Sequence, residues 1–168
     1  TKLWQLENVR QFFLAKVKQQ PQDVRALLFS LTESDNSDVD GFLLMMNEVI
    51  DQKDINVCLR LAADKGQVEN LKLFLARGDM LSTNEVSQRN ALHLAVIKEH
   101  VQCVEVLLTQ NKPNSKLDLL VFSSDKFNKA PISYISEIKD NAIKLAMQKL
   151  LTQYREKSIS YSGSLFKA

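Results

Sequence analysis

The sequence predicts an all-α fold assembled from stacked helical pairs, on three observations. The 168 residues include only four glycines and three prolines, with 7% aromatic residues, which disfavours a strand-rich fold held by many tight turns. Apolar residues recur at i, i+3 and i+4 through most of the chain, the spacing of one helix face. Finally, Val57-Cys58-Leu59-Arg60-Leu61-Ala62-Ala63 recurs as Asn90-Ala91-Leu92-His93-Leu94-Ala95-Val96, displaced by 33 residues. With 45% hydrophobic and 25% charged residues, the length fits one domain with a continuous core.

Residues 1–54 carry helical periodicity without the repeat, clearest in Leu3, Leu6, Val9, Phe13 and Val17 and again between Phe42 and Ile50. Pro21 and the polar stretch 33–38 divide them into three helices, near 2–18, 22–32 and 40–51. This region reads as a helical cap, and its last two helices (22–51) also read as a degenerate first repeat.

Residues 55–157 hold the repeats. Gly66-Gln67-Val68-Glu69 aligns without a gap on Glu99-His100-Val101-Gln102, and Leu71-Lys72-Leu73-Phe74-Leu75 on Val104-Glu105-Val106-Leu107-Leu108. Leu59, Ala62 and Ala63 share one face of a first helix, and Leu71, Phe74 and Leu75 one face of a second. Two short helices cannot hide their apolar faces alone, so such units must stack, with small alanines allowing close approach.

These residues resemble the ankyrin repeat. Ala91-Leu92-His93-Leu94-Ala95, His100, Val104 and Leu107-Leu108 sit where that family's pattern has them; the preceding unit keeps Leu59, Leu61-Ala62-Ala63, Gly66, Leu71, Phe74-Leu75 and Gly78, with Arg60 at the motif histidine. The resemblance implies a solenoid of helix-turn-helix units. A third unit opens at Asp125-Lys126-Phe127-Asn128-Lys129-Ala130-Pro131-Ile132, similar to the family's hairpin tip, with Asn128 at a glycine position that requires a left-handed backbone.

Pro131 follows Ala91 by 40 residues, so about seven extra residues precede the third unit. They fall within 112–124, which contains the apolar run Leu117-Asp118-Leu119-Leu120-Val121-Phe122. That run reads either as an extra turn packed on the outer helices or as a ridge facing a partner. A final helix is expected over 141–154, with Ile143, Ala146, Met147, Leu150 and Leu151 on one side, and a tail over 158–168.

The chemistry-bearing residues point away from catalysis. Cys58 and Cys103 are too few for a disulfide framework or a structural zinc site and fit a reducing, cytosolic setting. In the repeat register Cys58 replaces the motif proline and Cys103 a packing isoleucine. The resemblance gives His93 the role of bonding backbone and holding neighbouring hairpins together. Asp35, Asp38 and Asp40 lack the spacing, central glycine and terminal glutamate of a calcium loop, and no glycine-rich phosphate loop occurs. No catalytic residue, metal or cofactor is therefore expected.

A formal charge of +2 is far from the basic balance of a protein built to neutralise phosphates, so nucleic acid is not the expected partner. Charge is uneven: residues 1–54 hold six basic and nine acidic side chains, residues 112–168 ten and five. No apolar run reaches the roughly 18 residues of a membrane span, and the N-terminal 20 residues lack the layout of a signal peptide.

The resemblance implies a protein-interaction module that binds a protein partner along its concave face, through hairpin tips and the variable ends of the first helices. Carried over, those positions are Asp64 and Lys65; Ser87, Arg89, Ile97 and Lys98; and Lys126, Phe127, Lys129, Glu137 and Ile138. Ile97, Phe127 and Ile138 are expected to be apolar where the core does not require it, a small hot-spot patch in a polar rim. A monomer is expected, cytoplasmic, or delivered into a host cytosol if the chain is part of a secreted bacterial effector, as its Lys-, Asn- and Gln-rich composition and irregular repeats suggest. The alternative is the targeting region of a larger enzyme whose catalytic domain lies elsewhere.

Overall fold

The computed structural model describes residues 11, 15, 19–33, 39–46, 49–109 and 115–165, with residues 21, 45, 115–117 and 155–165 described by their backbone alone. Gln11 and Ala15 are helical; the rest of the helix expected near 2–18, together with Asp35, Asp38 and residues 166–168, lies outside the described residues. Among the described residues eight α-helices follow in order: α1 (Pro21–Glu33), α2 (Val39–Met46), α3 (Gln52–Lys65), α4 (Val68–Leu75), α5 (Ala91–Ile97), α6 (Val101–Thr109), α7 (Ser115–Phe122) and α8 (Asn141–Leu165). A 3₁₀ helix, Pro131–Glu137, precedes α8, and no strand occurs among the described residues.

The helices form two layers. In the inner one α1 packs on α3, α3 on α5 and α5 on the 3₁₀ helix; in the outer one α2 packs on α4, α4 on α6 and α6 on α8. Each inner helix also contacts the outer helix that follows it, which makes four stacked pairs, the first formed by α1 and α2. The 33-residue repeat thus appears as two adjacent pairs, α3/α4 and α5/α6. Leu59, Ala62 and Ala63 are fully buried, as are Leu92, Ala95 and Val96 one unit on, and Leu71, Phe74, Val104 and Leu107 complete the core between layers. Each of the leucines, valines and the phenylalanine contributes about 1.5–3 kcal/mol of apolar burial.

Local signals set the helix ends. Asp51 caps α3 by accepting a hydrogen bond from the Lys53 amide (3.1 Å), so the helix starts at Gln52, before the repeat motif begins. It stops at Gly66, whose φ of +74° is left-handed; a Cβ there would lie 2.8 Å from Nδ1 of His100. The corresponding position one unit on is Glu99, also left-handed at φ +63° without the freedom of glycine. Asn128 is left-handed (φ +59°), as expected of its motif position.

The third unit departs from the expected pair. Its inner element is a 3₁₀ helix rather than an α-helix, and the Ser136 hydroxyl donates to Ser133 O, three residues back (2.8 Å). Ile132 is 46% exposed at the position where Leu59 and Leu92 are fully buried, and Ser136 and Gln148 are exposed where Val96 and Leu108 are buried. The backbone of α8 stays helical to Leu165, past the end at 154 read from its periodicity.

The apolar insertion is the helix α7, packed against the 3₁₀ helix. Leu120 and Val121 enter the core, and the phenol of Tyr154 on α8 donates to Asp118 (2.7 Å). Its main contact is therefore with an inner element rather than with the outer helices alone.

Candidate protein-interaction face

Two hairpin tips stand at the inner edge of the stack, and each is shaped by one side chain. Asn84 accepts from the amides of Val86 (2.9 Å) and Ser87 (3.0 Å) through Oδ1 and closes its loop with backbone bonds to Arg89 and Gln88. Asp125 does the same for the next tip, Oδ1 accepting from the amides of Phe127 (2.9 Å) and Lys129 (3.1 Å). The tips are joined by the Lys126 amide donating to Ser87 O (3.1 Å).

Beneath them lies a polar cluster. The Asp125 side chain is completely buried, and its Oδ2 accepts from Arg89 Nε (3.1 Å) and from the Tyr134 hydroxyl (2.5 Å), while Arg89 Nη2 donates to the Tyr134 oxygen (3.0 Å). Burial alone pushes a carboxyl up, but the bonds from Tyr134, the Lys129 and Phe127 amides and Arg89 outweigh it and hold Asp125 at about 2. The Arg89 guanidinium lies over two rings, 5.5 Å from the centroid of Phe127 and 5.3 Å from that of Tyr134.

His93 ties this cluster to the repeat. Its Nε2 lies 3.0 Å from Lys129 O on the neighbouring hairpin, and its Nδ1 closes a capping box with Asn90 at the start of α5. Burial lowers its pKa, keeping the ring neutral. His100 Nε2 bonds Asp64 O (3.0 Å) across the preceding junction. Both imidazoles thus serve backbone carbonyls. Burial raises the thiols of Cys58 to about 12 and Cys103 to about 11, opposite to the depression a nucleophile requires. Among the described residues no cluster of His, Cys, Asp and Glu could hold a metal ion.

The residues expected to meet a partner fall into three groups. Lys65, Lys98, Lys126, Phe127 and Glu137 are exposed, Phe127 at 58%; Lys65 and Lys98 occupy equivalent ends of the adjacent inner helices α3 and α5. Asp64, Ser87, Ile97 and Lys129 are half-buried, with Lys129 ion-paired to Glu137 (2.5 Å) and Ile97 packed against the core edge. Arg89 is committed to Asp125, and Ile138 is a correction: it is buried at 6% in the core, because the 3₁₀ helix ends in extended backbone that turns this side chain inward. The hydrophobic patch expected from Ile97, Phe127 and Ile138 therefore lacks its third member.

Sequence reasoning missed three residues on this side. Val86, 77% exposed, is the apolar tip of the first hairpin, and its place between Asn84 and Ser87 in the tip was the available signal. Val57 is 36% exposed on α3. Arg60, at the motif histidine position, donates to the Ser82 hydroxyl (2.8 Å) where His93 bonds a carbonyl.

A family model described as ankyrin repeats (3 copies) matches residues 13–119 and 59–149. None of the curated proteins compared with the chain matches it.

Proposed function

Since the chain belongs to the ankyrin-repeat family, whose members are generally protein–protein interaction modules, we propose that it recognises a protein partner through the inner edge of its stack. The contact runs over the hairpin tips, with Val86, Lys126, Phe127 and Lys129, and over the helix ends carrying Asp64, Lys65, Ile97, Lys98 and Glu137. Ser87 and Arg89 support the tips from below.

The observation that carries this reading is the prior order of the tips. Buried Asp125 fixes the loop bearing Phe127, Arg89 lies against that ring, and the Lys126 amide links one tip to the next. Side chains already held lose little entropy on binding, so a modest set of contacts retains more of its gross energy. Two exposed apolar residues, Val86 and Phe127, among charged neighbours have the composition of anchors within a polar rim.

The test is affinity capture from cytosolic extract with the wild-type chain beside the variant Ile97→Ala, Lys98→Ala, Phe127→Ala, both verified as folded by circular dichroism. A protein retained by the wild type and lost by the variant is the expected result. Equal capture by both discards this face.

A further inference from the structure

Arg60 stands where the next unit has His93, and the fold provides for the two side chains differently. His93 is kept neutral, and both of its ring nitrogens meet partners, Lys129 O and Asn90. Arg60 carries a full charge on the inner helix α3 and has one partner, the hydroxyl of Ser82 in the segment leading to the Asn84 tip (2.8 Å from Nη1). Its Nε and Nη2 bond no described protein atom, and neither is sealed from solvent.

The other arginines with described side chains are all ion-paired: Arg25 with Asp54 (2.7 Å), Arg77 with Asp40 (3.7 Å) and Arg89 with Asp125 (3.1 Å). Among the described residues no carboxylate pairs with Arg60 in this way. The Arg25 side chain is 54% exposed and paired, whereas Arg60 is half-buried and unpaired, the reverse of what desolvation of a cation favours. Burial holds the Arg60 guanidinium below its ordinary pKa, and the charge of Glu85 on the tip offsets this only in part. The inner edge therefore carries a cation that lacks a counter-ion.

The surrounding groups define what would supply it. The Ser82 hydroxyl accepts from Arg60, and its own proton has no acceptor among the described residues. A guanidinium edge beside a hydroxyl is a set of donors without an acceptor, which an oxyanion satisfies. A carboxylate fits better than a phosphate, whose charge is about −1.5 to −2 at pH 7. Here one cation stands near the carboxylate of Glu85, and repulsion from Glu85 grows with the charge of the ligand. Val57, one turn before Arg60 on α3, and Val86, next to Glu85 on the tip, add exposed apolar surface.

We propose that Arg60 and the Ser82 hydroxyl form a receiving site for a carboxylate of the protein partner, a glutamate or aspartate side chain next to an apolar residue that contacts Val57. The site rests on the inner-edge reading and names the chemistry by which that face selects its partner. The carboxylate accepts from the guanidinium edge and from the Ser82 O–H, and it supplies the missing counter-ion.

The experiment uses the isotope-labelled full chain and, as probes, acetyl-Val-Glu-Val-amide, its glutamine counterpart and inorganic phosphate. NMR follows the Arg60 Nε–H and Ser82 amide resonances of the wild type, and the Ser82 amide of Arg60→Lys and Glu85→Gln, all checked for unchanged Tm. The glutamate peptide is expected to shift both wild-type resonances saturably, at least about tenfold more tightly than the glutamine peptide or phosphate. Arg60→Lys, which keeps the charge and loses the fork, weakens binding about fivefold or more, and Glu85→Gln strengthens it about threefold. Equal binding of the two peptides, tighter binding of phosphate, or no saturable shift in the wild type overturns the proposal. Capture from cytosolic extract by Arg60→Lys, beside Ile97→Ala, Lys98→Ala, Phe127→Ala, separates the site from the reading beneath it. Loss of the partner by both variants is expected. Full capture by Arg60→Lys with loss by the triple variant overturns the carboxylate site alone, and equal capture by wild type and both variants overturns site and inner edge together.

Discussion

Arg89 and Asp125, 36 residues apart in sequence, are joined by a 3.1 Å hydrogen bond to a carboxylate whose side chain is wholly buried. The pair fastens one repeat to the next at the base of the hairpin tips, and removing either partner leaves the other charge uncompensated. Asp125→Ala is expected to cost about 3–5 kcal/mol in urea unfolding. Tyr134→Phe, which deletes one neutral donor to the same oxygen, is expected to cost about 1–3 kcal/mol. Equal, negligible losses in both would show that the cluster does not hold the tips.

Acid should weaken the fold in two windows. Burial lowers the pKa of His93, so the unfolded chain takes up a proton that the native ring refuses; stability then falls as pH drops below about 6.5 towards the native value. Asp125, held at about 2, gives stability that is fully present above about 3.9 and lost as pH falls towards 2. Urea midpoints measured from pH 8 to pH 2.5 should decline through both windows, and His93→Gln should flatten the upper one.

The equivalent positions Gly66 and Glu99 invite opposite substitutions. Gly66→Ala adds a Cβ to a left-handed residue and pushes it against the His100 ring, and a loss of about 1–2 kcal/mol is expected. Glu99→Gly relieves a left-handed side-chain residue and is expected to gain about 0.5–1 kcal/mol. Thermal melts of the two variants should move in opposite directions.

Cys58 and Cys103, buried and with thiols raised to about 12 and about 11, should not react with a thiol reagent such as dithionitrobenzoate at pH 8 while the chain is folded. Both should titrate promptly in urea. Fast reaction of the native chain would show that the repeats open readily in this region.

Much of the fold is legible because the repeat is a packing pattern. Leu59, Ala62, Leu92 and Ala95 recur at the right spacing, and all four are fully buried. The left-handed Asn128 was legible for the same reason, since a hairpin tip demands that backbone from whatever residue sits there. What escaped depends on contacts between residues distant in sequence. The burial of Ile138 goes with the 3₁₀ geometry of residues 131–137 and the extended backbone that follows it, in a segment that the repeat register makes an α-helix. That Arg89 is held beneath the tips depends on Asp125 and Tyr134, 36 and 45 residues further on. The helix α7 was visible as an apolar run, but only the fold distinguishes Leu120 and Val121, which are buried, from Leu119 and Phe122, which are not.

The most direct test of the inner-edge account is photo-crosslinking with benzoylphenylalanine placed singly at Ile97, at Phe127 and at Glu105, which is exposed on the outer helix α6. The account predicts that irradiation in cytosolic extract joins the same protein to positions 97 and 127 and not to position 105. Crosslinking confined to position 105, or equal at all three, would contradict it.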